Sequence, residues 1–157
     1  MNKKITINCV FCEVAASSLM PNYGKIFKNR DYFVMLSAHP QTQGHLLVIP
    51  QEHVTNLSGL SQKLMANLLG QAVKYGEMIK NRLNAGAYTI KINNGVHRLE
   101  NSDVRHVNHI HIHVIPRYSS NDKINTPPKK ASDKILMGTM RLLMLDKSVA
   151  LKRSLKL

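Results

Sequence analysis

The segment His109-Ile110-His111-Ile112-His113 sets three imidazoles at alternate positions of an apolar run. Near neutral pH an imidazole can attack an electrophile, donate a proton or accept one, and it also ligates metals. In an extended strand, residues two apart share a face, with a rise of about 3.3 Å per residue. His109, His111 and His113 are therefore expected to project together, with neighbours about 6–7 Å apart and Ile110, Ile112 and Val114 on the opposite face. Two chemistries suit such a row. The imidazoles can act themselves as nucleophile and acid–base groups, or His-x-His plus a distant histidine can hold a catalytic zinc. A second chemical pair is Cys9 and Cys12, spaced C-x-x-C. In a reducing compartment that spacing is more often a metal or redox pair than a structural disulfide.

The elements that must position these residues are legible in outline. Pro21–Gly24 reads as a turn, and residues 25–28 and 32–36 as two short strands. Residues 45–49 form an apolar run that reads as a buried strand ended by Pro50. Ser61 is placed to cap a helix reaching Leu83, with Leu64, Leu68, Ala72, Ile79 and Leu83 on one face and Met65, Leu69 and Val73 beside them. Asn84–Gly86 stops that helix, 87–92 alternates as a strand, and 107–115 reads as a strand closed by Pro116. Residues 132–145 and 148–157 are candidate helices after a Pro127-Pro128 linker. The expected class is α+β: an antiparallel sheet with one long helix, plus a C-terminal helical extension.

A chain of 157 residues with 43% apolar content suits one globular domain. The formal charge of +13 argues for an anionic partner: a phosphorylated metabolite, nucleic acid or an acidic surface. The excess is concentrated late, with eight Lys or Arg against two Asp from Lys129 onward. No stretch approaches the about 20 apolar residues of a membrane span. Thr6 and Asn8 interrupt any signal-like run near the N-terminus, so a cytoplasmic protein is expected.

Three segments together carry a resemblance. His109-Ile-His-Ile-His-Val-Ile-Pro-Arg117 resembles the signature of the histidine triad family of nucleotide hydrolases and transferases. Cys9-Val-Phe-Cys12 is similar to the opening of many bacterial members, and Pro40-x-x-x-Gly44-His45-Leu-Leu-Val-Ile-Pro50-x-x-His53 to the family's second block. The match runs in family order from about residue 9 to 118. It implies residues 1–120 as a histidine triad domain and 121–157 as a basic extension, linker then helix. It also implies a homodimer, as relatives usually form.

The resemblance implies that His111 attacks the α-phosphorus of a purine nucleotide. A covalent nucleotidyl-histidine forms, and water then releases the nucleoside monophosphate. His113 maps onto the histidine that contacts the phosphate or leaving group, and His45 onto one beside the same phosphate. The backbone carbonyl of His109 is expected to hold the Nδ1 proton of His111. Asn93 or Asn94, with Asn94 preferred, resembles the phosphate-contacting asparagine. Where many members carry Gly-Gln-Ser/Thr-Val this chain has Val104-Arg105-His106-Val107, so Arg105 or His106 is expected to supply those contacts. The acidic residue that grips ribose in many members corresponds to Ser37, and Leu36 and Ala38 are either base-pocket walls or plain core.

By the same resemblance, Cys9, Cys12, His53 and His109 would hold a structural zinc, about one per chain, with no organic cofactor. The expected substrate is a nucleotide or nucleotide conjugate, cleaved at a phosphoramidate or phosphoanhydride bond. Rival readings are a diadenosine polyphosphate hydrolase of the same family, a non-catalytic nucleotide- or RNA-binding protein using the basic tail, and a hydrolase with zinc at the histidine strand. The apolar stripe of Leu136, Met137, Met140, Leu143 and Met144 is expected to pack on its own domain or a dimer mate.

Overall fold

Successive side chains in two of the predicted strands point to opposite faces, each covered by helix, and that division builds the layers. A computed structural model describes residues 9–17, 24–95, 107–122 and 129–144. Five strands pair antiparallel throughout: β1 (Lys25–Lys28), β2 (Tyr32–Leu36), β3 (Leu46–Pro50), β4 (Ala87–Ile92) and β5 (Ile112–Arg117). Their spatial order is β1-β2-β3-β5-β4, which leaves β4 on an edge. Every residue of β2 and β3 is buried because helices cover both faces. Tyr32, Val34, Leu36, Leu46 and Val48 join the core under α2 (Gln62–Leu83) and α3 (Asp133–Met144). Phe33, Met35, Leu47 and Ile49 face the other way, onto α1 (Val10–Ala16).

The long helix forms as its sequence predicts. Ser61 Oγ accepts from the backbone N–H of Leu64 at 3.2 Å, an N-cap. Asn84 ends the helix in the left-handed region, at φ 55°. Leu68, Ala72, Tyr75 and Ile79 are its buried stripe, whereas Met65, Leu69 and Val73 stay exposed. Gly76 lies so close to the Tyr88 ring that a Cβ there would overlap it, which seats the helix directly on β4.

The extension packs onto this same core. Leu143 is completely buried, Leu136 and Met140 pack partly against the core under α2, and the Ala131 N–H donates to the Ala38 carbonyl at 2.8 Å. Leu36 is plain core. The candidate helix at 148–157, the linker at 125–128, and Arg105 and His106 lie outside the described residues. No described helix is long and apolar enough to cross a membrane.

Two elements depart most from expectation. The seven-residue helix α1 was not foreseen, since it makes under two turns, too few for a recurring apolar stripe to be read. The last strand begins at Ile112 rather than 107 and runs through Pro116 to Arg117. Residues 107–111 leave the ladder because their backbone groups bond elsewhere: His109 N–H to the Val107 carbonyl at 2.8 Å, and Ile110 N–H to Val54 at 2.6 Å. Pro116 is tolerated in β5 opposite Tyr88 of the edge strand.

Candidate active site

The three histidines of the row have different partners, and the partners fix their protonation. A carbonyl can only accept, so the 2.7 Å contact between His111 Nδ1 and the His109 carbonyl puts the proton on Nδ1. The lone pair of His111 is then on Nε2. Its ring is packed edge-on against Phe11, with centroids 5.1 Å apart, and against His113 at 4.7 Å.

A second chain of tautomers runs through His45. The backbone N–H of Gln41 donates to His45 Nδ1 at 3.2 Å, so the His45 proton sits on Nε2. That Nε2–H donates to His113 Nδ1 at 3.0 Å. His113 must therefore carry its own proton on Nε2. Burial, then the charges of His111 and Lys91, hold the pKa of His45 down at about 3, so it is a neutral relay across the physiological range. The loop that delivers Gln41 and His45 is pinned at several points. Gly44 takes φ +84°, where other residues are strained. Thr42 Oγ1 donates to the Pro116 carbonyl at 2.6 Å, Tyr118 Oη to Gln43 at 2.8 Å, and Ser37 N–H to the His45 carbonyl at 2.8 Å.

His109 belongs to a different group. It is turned away from the other two, and its Nδ1 lies 3.4 Å from Cys9 Sγ and 3.7 Å from Cys12 Sγ. Cys12 Sγ is also 3.2 Å from His53 Nδ1. The ligand atoms of Cys9, Cys12, His53 and His109 all lie within 4.8 Å of one another. His109 Nε2–H donates to the Pro50 carbonyl at 3.0 Å, which leaves the Nδ1 lone pair toward the sulfurs. Burial holds the His109 pKa down at about 4, so this imidazole is neutral, as a ligand must be. Two thiols and two imidazoles at this separation fit a tetrahedral zinc.

Two lysines clamp the helix that carries Cys12. Lys25, almost fully buried, donates from Nζ to the carbonyls of Val14 at 2.8 Å and Ser17 at 3.0 Å. Lys28 Nζ donates to Ala15. Both satisfy carbonyls at the C-terminal end of α1, where the helix dipole favours a cation. Burial, then Lys28, lowers the Lys25 pKa.

The remaining predicted residues are distributed less simply. Asn94 Oδ1 accepts from the Leu57 N–H at 2.7 Å, at the start of the 3-10 turn Leu57–Gly59. Asn93 directly follows Ile92, the last paired residue of β4, which lies opposite Ile112. The Ser37 hydroxyl is buried and accepts from the His39 N–H at 3.2 Å, closing a local turn. Sequence reasoning missed Phe11, Gln41 and Lys91. Only Lys91 carried a readable signal, its place in the period-two alternation of 87–92.

The profile of the HIT domain family matches residues 22–120. An uncharacterised HIT-like protein of Borreliella burgdorferi is 32% identical over 114 residues, covering 72% of this chain and 78% of that protein. The adenosine 5′-monophosphoramidase HNT1 of Saccharomyces cerevisiae is 25% identical over 109 residues, 69% of this chain and 62% of that protein. In fold, the chain is similar to a Zn-bound histidine triad family protein from Mycobacterium smegmatis, with TM-score 0.68 and 24% identity, covering 90% of this chain and 97% of the other. With the histidine row, the Gly44-His45 block and the five-stranded sheet, the match over residues 22–120 establishes that this chain belongs to the histidine triad (HIT) family.

Proposed function

We propose that the protein is a nucleotide hydrolase of the histidine triad type, cleaving a phosphoramidate or phosphoanhydride bond at the α-phosphate of a purine nucleotide through a covalent nucleotidyl-histidine on His111. The observation that carries this reading is the fixed tautomer of His111: Nδ1–H to the His109 carbonyl at 2.7 Å leaves Nε2 nucleophilic. The Nε2–P bond forms as the bond to the leaving group breaks, and the electron pair departs with that group. An oxyanion needs no proton, and an amine already protonated on nitrogen leaves neutral. His113, with its proton on Nε2, donates to the phosphoryl or leaving atom and stabilises the developing charge. Water oxygen then bonds phosphorus, its proton passes to solvent, and His111 returns as neutral imidazole. Asn94, whose Oδ1 accepts from the Leu57 N–H and which keeps its Nδ2–H as a donor, and Asn93 are both proposed as phosphate contacts. Arg105 or His106, and Ser37, stand where family members carry other contact residues, and are proposed as substrate contacts by that position alone.

We assign Cys9, Cys12, His53 and His109 to a structural zinc, which when bound would cross-link α1 to the segment leading into His111. Among the described residues this is the cluster whose donor atoms converge, which favours a structural ion over a catalytic one at the histidine row. Two reduced, buried thiols suit the cytoplasm. The apolar cavity of about 120 Å³ between Leu60, Met65, Leu68 and His111 is too small to seat a nucleotide, since ligand pockets run from roughly 300 Å³ upward.

Met65, Leu69 and Val73, exposed on α2 among the described residues, support a homodimer. The buried Leu143 supports an extension that packs on its own domain rather than one dedicated to RNA. The test is a substrate panel on wild type and His111→Ala. Cleavage that survives the substitution unchanged contradicts the reading.

A further inference from the structure

The edge strand β4 brings one cation to the histidine face that the mechanism above does not use. Lys91 pairs directly with His113 in the β4–β5 register. Residues opposite one another in an antiparallel pair share a face, with Cβ atoms about 4.5–5.5 Å apart. Its neighbours Ile90 and Ile92 pack against the core under α2, so Lys91 projects from the opposite face, that of His113. The side chain is exposed, and neither ion pair found among the described residues involves it. Its charge is felt at His45.

Resting on the hydrolase reading, we infer that Lys91 is a specificity-determining residue, which selects nucleotide substrates whose leaving group is itself anionic. When His111 attacks an α-phosphate, the nucleoside occupies one substituent. Any further negative charge must therefore lie on the leaving side. In a phosphoanhydride the P–O bond breaks with its electron pair on the departing phosphate oxygen, and an ammonium beside His113 stabilises that charge as it grows. A neutral leaving amine offers no such charge. An exposed lysine on an edge strand also discourages edge-to-edge pairing, but that role does not depend on the substrate.

The test compares diadenosine triphosphate, whose leaving group is an anionic nucleotide, with adenosine 5′-phosphoramidate, whose leaving group is neutral. Lys91→Met is expected to lower the ratio of kcat/KM for the first over the second by about tenfold, the scale of one charge-assisted hydrogen bond. Lys91→Arg is expected to restore the ratio. The selectivity for the anionic substrate should also fall with added salt in wild type and not in Lys91→Met. A fall in both substrates by the same factor, or no change in either, overturns the inference while leaving the hydrolase reading intact. Wild-type protein that cleaves neither substrate overturns both.

Discussion

The two ends of the histidine row hold the same residue type to opposite purposes. At the His109 end the imidazole lies among thiols, fully buried, with its second nitrogen tied to the Pro50 carbonyl. At the His113 end the imidazole is half-buried and takes its hydrogen bond from another imidazole, His45. His111 stands between them, its tautomer set by the backbone of His109. One end is built to be fixed and the other to be used. Side-chain type does not decide a histidine's work here; the atom facing each nitrogen does.

The largest expected effect is at the working end. His111→Ala should lower kcat on any cleaved nucleotide by about 10³-fold or more, because the nucleophile is lost, with little change in thermal stability. At the fixed end the sensitivity inverts. Cys12→Ala should reduce bound zinc from about one per chain to near zero, read by metal analysis of protein purified without chelator. It should lower Tm by about 10 °C or more. A zinc-free wild type, or a Cys12→Ala variant that keeps its metal, breaks the comparison. A smaller effect is expected from Lys25→Met, which leaves the carbonyls of Val14 and Ser17 without their buried donor. That should cost about 1–3 kcal/mol and weaken zinc retention against a chelator, with Lys25→Arg intermediate.

Comparable in size, but confined to acid pH, is the pH dependence contributed by His45. Its pKa is about 3 when folded and about 6.5 when unfolded. Between those values the unfolded chain binds a proton that the folded chain refuses. Stability is therefore complete above about pH 6.5 and falls on acidification toward pH 3, by up to about 1.4 kcal/mol per pH unit from this one group. Denaturant titrations from pH 7 to 4 should show a shallower slope in His45→Gln. An equal slope would mean that His45 is charged in the folded state.

Much of the fold was legible because patterns with a physical period survive in sequence. The short apolar runs of β2 and β3, the stripe of α2, the cap at Ser61 and the stop at Asn84 all follow from local rules. The triad and the cysteine–histidine set were legible as motifs. The geometry that separates them was not. The run 107–115 reads as one strand, yet its first half bonds to Val54 and folds His109 toward Cys9, a non-local event with no signature in residue spacing. The relay through Gln41 was equally silent, because its donor is a backbone N–H that any residue but proline would provide. The bond from the Leu57 N–H to Asn94 Oδ1, across the molecule, likewise leaves no trace in residue spacing.

The nucleophile is tested most directly by mass. Protein mixed briefly with a cleavable nucleotide, quenched without acid and digested should yield a nucleoside monophosphate adduct on the peptide that contains His111. That adduct should be absent in His111→Ala and still form in Lys91→Met. Turnover with no adduct on that peptide, or an adduct that persists on it in His111→Ala, would contradict the assignment of the attacking nitrogen.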